Sequence, residues 1–216
     1  MSMVNLVRRR AGKIKTGHAG TLDPLATGVL VLGLGRMTKR LGELTGTDKK
    51  YSTVIDLSAT TAGHDAESPR EEVVIDHEPT LSEVERAVRK FKGEIMQSPP
   101  AFSAIWIDGK RSYAAARKGL AVHIEPRKVK VYDLTILSYE WPLVSIELEC
   151  AKGFYVRALA RDLGHELGVG GYCVEIRRTA VGPFTLEMAV QLESLPQCIT
   201  MECLISPEEV DRLLYA

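Results

Sequence analysis

The sequence lacks the patterns that mark common metal sites, nucleotide loops and membrane segments. None of its four cysteines (Cys150, Cys173, Cys198 and Cys203) forms a C-x-x-C pair, so no zinc site is expected. There is no H-E-x-x-H helix, no G-x-x-x-x-G-K-[ST] loop and no G-x-S-x-G turn to support a serine triad. No apolar run approaches the roughly 20 residues of a membrane helix, and the N-terminus is basic rather than apolar. We therefore expect no metal, no membrane partner and a cytoplasmic location, where scattered cysteines stay reduced.

The chain also lacks net charge, but its charges are unevenly distributed. Residues 1–50 carry ten basic side chains against three acidic ones, and residues 106–131 carry seven against two. Residues 64–94 are acidic, with nine acids and five bases. Such segments form solvated surface, or they bind a phosphate backbone, and both interpretations remain open at this point.

Hydrophobic periodicity predicts an α/β protein of the α+β type, with a mixed, mostly antiparallel sheet and helices packed on it. Helices are expected before Gly12, over 37–46, from the Thr80–Glu83 capping box to Gly93, over 111–119, over 155–168 and after Ser206-Pro207. Strands are expected over 29–35 (buried), 49–59, 127–139, 143–151 and 172–184, with a hairpin turn at Asp108-Gly109. Residues 13–28 are expected to be a loop, and residues 59–70 an exposed acidic loop.

Asp23 is the one carboxylate in the stretch GHAGTLDPLATGVLVLGLG. It can cap a brief turn that runs through Pro24 to Ala26. The small residues around it also let a planar ligand approach the backbone, and Pro24 stiffens the loop. A carboxylate fixed in such a pocket can act as a general base or a nucleophile, and the two interpretations are compatible.

Three further features have a structural and a functional interpretation. Gly33-Leu34-Gly35 resembles part of a dinucleotide fingerprint, but Thr38 stands where the third glycine would be. Tyr51, after two lysines, either packs in the sheet or stacks on a base. Arg157 lies in the first turn of a predicted helix, where a cation is unfavourable unless an anion compensates it.

Taken in order, five motifs identify a family. GHAGTLDPLATGVLVLGLGRMTK, DKKY, SPPAFSAIWIDGKRSYAAARKG, KGFYVRALARDLG and EIRRTAVGPF resemble the successive motifs of the TruB family of RNA pseudouridine synthases. The resemblance covers about residues 3–195. It implies the pseudouridine synthase fold with a thumb insertion, and isomerisation of uridine 55 in the T-loop of tRNA without a cofactor.

The resemblance also implies roles for individual residues. Asp23 is similar to the catalytic aspartate, Tyr51 to the tyrosine that stacks on the flipped uracil, and Arg157 to the arginine that pairs with that aspartate. His18 is similar to the histidine that enters the T-loop when the uridine leaves. Further RNA-binding residues are expected at Gly20, Thr21, Leu22, Lys110, Arg111, Lys152 and Tyr155.

The resemblance further implies one catalytic domain over residues 1–216, with a thumb at about 98–127. We expect the family's first strand motif to be missing and a C-terminal PUA-type domain to be absent. The expected partner is the T-stem-loop of tRNA, bound by a monomer without guide RNA. The alternative is a non-catalytic tRNA-binding or RNA-folding module.

Overall fold

A computed structural model describes residues 2–102, 106–107, 110–111 and 124–215. Its strands are β1 Thr16–His18, β2 Thr27–Gly28, β3 Leu32–Leu34, β4 Lys49–Asp56, β5 Ala59–Thr61, β6 Arg70–Glu72, β7 Gly93–Gln97, β8 Trp106–Ile107, β9 Lys110–Arg111, β10 Arg127–Glu140, β11 Leu143–Cys150, β12 Tyr172–Val181 and β13 Phe184–Thr185. Its α-helices are α1 Met3–Arg10, α2 Leu41–Thr45, α3 Leu81–Arg89, α4 Val156–Leu167 and α5 Pro207–Tyr215. Short 3-10 helices cover Gly35–Arg40 and Met201–Cys203.

The chain divides into two compact units. The first contains Met1–Lys49 and Arg178–Ala216, and the second contains Lys50–Arg177. Strand β12 contributes its first part to the second unit and its last part, from Arg178, to the first. None of the helices within the described ranges is long and apolar enough to cross a membrane.

The second unit is built on a sheet in the order β12-β4-β11-β10-β7. Strands β11 and β10 pair antiparallel, as do β10 and β7. Helices α3 and α4 contact each other and bury apolar side chains such as Val84, Leu159 and Leu163. Both hydrogen bonds of the predicted capping box at Thr80 and Glu83 are present. The predicted α+β class, with its mostly antiparallel sheet, is confirmed.

The first unit combines short strands with small helices. Strands β1 and β3 pair antiparallel, while β2 and β13 both pair with β12. Its core consists of the buried residues Ala19, Val29, Leu44, Val181, Phe184 and Val210. As predicted, Ser206 caps α5, because its Oγ accepts a hydrogen bond of 3.1 Å from the Glu209 amide.

Three local predictions were wrong. Residues 13–28 contain β1 and β2 rather than loop alone, and the strand expected over 29–35 covers only Leu32–Leu34. The apolar pattern did not predict β1, β2 and the short β3, because these strands are held by backbone hydrogen bonds to other strands rather than by alternating apolar side chains of their own. The expected acidic loop at 59–70 contains β5 and leads into its partner β6, and Gly63 and Asp65 in the connection are buried.

The segment predicted to form a thumb, about residues 98–127, is described only in part. Strands β8 and β9 pair antiparallel, with Trp106 opposite Arg111 and Ile107 opposite Lys110. The hairpin turn predicted at Asp108-Gly109, and the helix expected over 111–119 apart from its first residue, lie outside the described residues.

Candidate active site and RNA-binding residues

Asp23 lies in a tight turn of the first unit. Its carbonyl accepts a hydrogen bond of 2.9 Å from the Ala26 amide, and Pro24 occupies the second position of that turn. The predicted turn is therefore present, although it does not develop into a helix. The side chain of Asp23 is half-buried, so the carboxylate stands on a constrained backbone without being sealed from solvent.

The backbone around Asp23 is held by a buried arginine. Arg178, only 2% exposed, donates through Nε to the Val29 carbonyl at 2.8 Å. Its Nη1 and Nη2 reach the carbonyls of Thr21 and Gly20, each at 3.3 Å. Arg178 therefore binds carbonyls before and after the Asp23 turn, and a fixed guanidinium fork limits how that turn can move.

Glycine is required where the Asp23 loop returns to the sheet. Gly28 has φ +97, and a Cβ built on it would lie 2.1 Å from the Arg178 carbonyl oxygen. A side chain at this position would collide with the backbone of β12 and would be strained in its own backbone.

The predicted RNA-binding residues of the first unit are the last residue of β1 and the loop residues that lead to Asp23. His18 and Thr21 are exposed, while Gly20 and Leu22 are half-buried. Gly20 has φ +92, a conformation that side chains seldom adopt. The loop thus presents an imidazole and a hydroxyl to solvent close to Asp23 in the chain.

Arg157 is the second residue of α4 and is buried in the second unit. Its Nη1 lies 3.2 Å from Asp65 Oδ2, and both side chains are 5% exposed. It also donates to the carbonyls of Gly63 at 3.0 Å and Phe102 at 2.9 Å. Asp65 is an anion that compensates the cation at the start of the helix. The pairing of Arg157 with Asp23, expected from the resemblance, stays a prediction.

Asp65 is held by a short parallel bridge to Cys173. The Ala66 amide donates to the Cys173 carbonyl and the Cys173 amide to the His64 carbonyl, both at 3.0 Å. His64 adopts φ 57, an unusual conformation for a residue with a side chain. Burial, with the nearby guanidinium groups of Arg161 and Arg157, lowers the pKa of His64 to about 4.

Tyr155 stands immediately before α4 and is held from two sides. Its amide donates to Gln97 Oε1 at 2.9 Å, and its carbonyl accepts from Gln97 Nε2 at 3.2 Å. The guanidinium of Arg127 lies over the tyrosine ring, 5.2 Å from its centroid. Lys152, three residues earlier, is exposed.

The remaining predicted residues are placed less completely. Tyr51 is half-buried on β4, in the second unit. Lys110 and Arg111 form β9, but their side chains lie outside the described part of the structure. Within the described ranges, no group of three or more His, Cys, Asp and Glu side chains is arranged to hold a metal ion.

Two family models together match almost the entire chain. Residues 8–156 match the TruB family pseudouridylate synthase N-terminal domain, and residues 157–215 match the tRNA pseudouridylate synthase B C-terminal domain. The chain belongs to the TruB family. The resemblance found in the sequence motifs is thereby confirmed.

Curated relatives of this TruB family member are named tRNA pseudouridine synthase B. The one from Corynebacterium diphtheriae is 45% identical over 205 residues, which cover 90% of this chain and 67% of the relative. The one from Chlorobium luteolum is 45% identical, covering 88% of this chain and 66% of the relative. The Mycobacterium tuberculosis H37Rv protein is 40% identical, covering 99% and 72%. The chain thus spans about two thirds of the length of the first two.

Solved structures share the fold of this TruB family member. A chain in the crystal structure of a Cbf5-Nop10-Gar1 complex superimposes with a TM-score of 0.65 at 28% identity, covering 84% of this chain and 45% of that one. A chain of an H/ACA RNP bound to a substrate RNA containing 2′-deoxyuridine gives a TM-score of 0.61 at 26% identity, covering 84% and 43%.

The glycine pair of this TruB family member does not form a dinucleotide-binding unit. Strand β3 pairs antiparallel with β1, and a 3-10 helix begins at Gly35. A dinucleotide fold instead needs a parallel strand that leads through the glycines into an α-helix. The local geometry therefore gives the nucleotide alternative no support.

Sequence reasoning missed three residues that organise these sites. Arg178 could have been found from the two-residue period of the predicted strand. It lies two residues from Ile176 and from Ala180, and the structure buries all three side chains. Asp65 was not recognised because it lies among the other acids of residues 59–70, which were predicted to be an exposed loop. Gln97 carries no sequence signal that marks it as buried.

Proposed function

We propose that this TruB family member isomerises uridine to pseudouridine in tRNA, at uridine 55 of the T-loop, with Asp23 as the catalytic residue. The observation that carries the proposal is the Asp23 turn. It presents a half-buried carboxylate on a backbone fixed by Arg178, inside the segment that the family model matches. The names of the curated relatives support the same reaction.

The chemistry suits a site with one dedicated carboxylate. The bond from ribose C1′ to uracil N1 breaks and a bond from C1′ to C5 forms, while C5 loses a proton and N1 gains one. Atoms and electrons balance, so no oxidant or reductant takes part. Asp23 acts by attacking the ribose or the base, or by promoting cleavage of the glycosidic bond. Tyr51 stacks on the detached uracil and holds it for re-addition.

The target uridine has to leave the folded T-loop before it can react. Extrusion of a nucleotide costs unstacking energy, which contacts to the vacated position offset. His18 and Thr21, both exposed beside Asp23 in the chain, are suited to that role. The basic segment that follows α1, with exposed Lys13 and Lys15, would bind the phosphate backbone.

The remaining parts of the proposal concern partners and organisation. The protein acts on tRNA in the cytoplasm, as a monomer and without guide RNA, and residues 98–127 close over the T-loop as a thumb. Lys152 and Tyr155 line the pocket that receives the flipped uridine, and Gly20, Leu22, Lys110 and Arg111 complete the RNA contacts. Sedimentation of the protein with and without tRNA tests the monomer.

The decisive experiment incubates the purified protein with a tRNA transcript and maps pseudouridine by chemical modification. We expect modification at position 55, and none when that uridine is replaced by cytidine. Asp23→Asn should reduce turnover on the order of 10³-fold or more, the scale of a lost acid–base or nucleophilic group. Its affinity for tRNA should change less than about twofold, because one carboxylate contributes little to phosphate binding.

Asp76→Asn provides the matched control, since Asp76 is an exposed aspartate of the second unit. It should retain wild-type turnover. Near-normal turnover by Asp23→Asn would remove the proposed mechanism. Tight tRNA binding by a wild-type protein that forms no pseudouridine would instead identify a non-catalytic RNA-binding module.

A further inference from the structure

The end of β7 and the start of β10 converge on Tyr155, the residue immediately before α4. Gln97 and Arg127 are directly opposite each other in the β7–β10 register. Both side chains reach Tyr155 or its immediate neighbours, although they lie far from it in the chain. The sheet fixes the separation of two residues in a cross-strand pair, so Gln97 and Arg127 approach Tyr155 from fixed positions.

Gln97 fixes the backbone of Tyr155. It is 1% exposed, and its amide group both accepts from the Tyr155 amide and donates to the Tyr155 carbonyl. That carbonyl also accepts the first hydrogen bond of α4, from the Leu159 amide at 3.2 Å. The Tyr155 side chain does not cap α4. The Gln97 side chain accepts a hydrogen bond from the Tyr155 amide, one of the backbone amides at the start of a helix that have no partner within the helix.

Arg127 fixes the ring and the turn before it. Its guanidinium covers one face of the Tyr155 ring and donates through Nη2 to the Gly153 carbonyl at 3.0 Å. Gly153 has φ +86, a conformation that favours glycine, and the Arg127 hydrogen bond holds the carbonyl of this residue. A planar guanidinium can stack and donate at once, whereas a lysine ammonium can do only one of these well.

The position of the Arg127 guanidinium carries a cost. Its Nε is buried without a hydrogen-bond partner among the described residues. An unsatisfied buried donor is unfavourable, and its retention is explained if the stacked position of the guanidinium is itself needed.

We propose that Arg127, with Gln97 opposite it, is a positioning residue that fixes the Tyr155 ring in the uridine pocket. This inference rests on the proposed function, in which Tyr155 lines that pocket. Arg127 acts through Tyr155 and does not itself react with the substrate. A ring that is free to tilt would misplace the uracil, and small misplacements cost rate more than affinity.

The test compares Arg127→Met with Lys130→Met. Lys130 lies on the same strand and places its ammonium over the Tyr132 ring at 5.0 Å, so its replacement removes a cation–π contact elsewhere. With tRNA transcript, Arg127→Met should lower the single-turnover rate constant about tenfold, with the Kd for tRNA within about twofold. Lys130→Met should change neither. An unchanged rate for Arg127→Met, or a rate loss matched by the loss of affinity, would overturn the inference.

Hydrogen exchange supplies a readout that does not depend on activity. Arg127→Met should speed amide exchange across residues 152–158 while leaving β11 protected, and Arg127→Lys should give an intermediate rate. If exchange across 152–158 is unchanged in both variants, the positioning role is wrong. If the wild type forms no pseudouridine, the proposed function fails, and the exchange data still decide whether Arg127 holds Tyr155.

Discussion

Asp65 and Arg157 form a buried ion pair in which Oδ2 lies 3.2 Å from Nη1. Arg157 also gives hydrogen bonds to two backbone carbonyls, so the Asp65 carboxylate is one of several groups that compensate its charge. A buried pair adds little net stability by itself, but breaking it is costly because the remaining charge stays in a medium of low polarity. The start of α4 therefore depends on a residue from a different part of the chain.

Asp65→Asn should destabilise the protein by about 3 kcal/mol, because it removes a carboxylate that is buried against the Arg157 guanidinium. Urea unfolding followed by circular dichroism measures the change. Asp76→Asn, at an exposed position, should stay within about 0.5 kcal/mol of the wild type. Equal stabilities for the two variants would mean that the ion pair does not anchor this part of the second unit.

His64 should make the stability fall as the pH is lowered. Its pKa in the folded protein is about 4, against 6.5 for the free side chain, so below pH 6.5 the unfolded chain binds a proton that the folded chain does not. The loss should be present by pH 5 and nearly complete as the pH approaches 4. Allowing for solvent screening, we expect about 1 kcal/mol between pH 7.5 and pH 5.

His64→Asn tests this dependence, because asparagine tolerates the left-handed backbone and does not titrate. Denaturant unfolding at both pH values should show a smaller pH effect in this variant than in the wild type. Val74→Asn, which alters an exposed residue that does not titrate, is the matched control and should keep the wild-type slope. A variant at His64 with an undiminished slope would assign the pH dependence to other groups.

Gly28→Ala should destabilise the first unit and disturb the Asp23 loop. The added methyl group would meet the Arg178 carbonyl at 2.1 Å, and φ +97 is strained for alanine. We expect a loss of at least 2 kcal/mol in unfolding free energy, together with lower turnover on tRNA.

Gly42→Ala is the matched control for Gly28→Ala. A Cβ at Gly42 meets nothing within 4 Å, and the residue lies in α2. Alanine should there be neutral or stabilise by about 0.5–1 kcal/mol, because it favours the helix. Equal melting temperatures for the two variants would show that the loop tolerates displacement from β12.

The sequence alone supported much of the local structure. The capping box at Thr80 begins α3, Gly168 ends α4 in a left-handed conformation, and Ser206 caps α5. Each of these signals acts over a few residues, so it can be read without knowing the rest of the fold. The turn at Asp23 was predictable for the same reason, since Pro24 restricts the backbone on both sides of itself.

The partners of the buried charges were not predictable in this way. Asp65 resembled a solvated acid among other acids, and only packing brings it to Arg157. Arg178 binds carbonyls of residues 20, 21 and 29, which no local pattern connects with it. Such contacts depend on how strands and helices meet.

The sequence by itself determined the family, the α+β class, several helix caps and the Asp23 turn, because these depend on local motifs and short-range backbone preferences. Tertiary structure decided which buried groups satisfy one another: Arg157 with Asp65, Arg178 with the Asp23 loop, and Gln97 and Arg127 with Tyr155. The physical reason is that a buried charge or amide has to find a partner, and which partner lies within hydrogen-bonding distance is fixed only when the chain is folded.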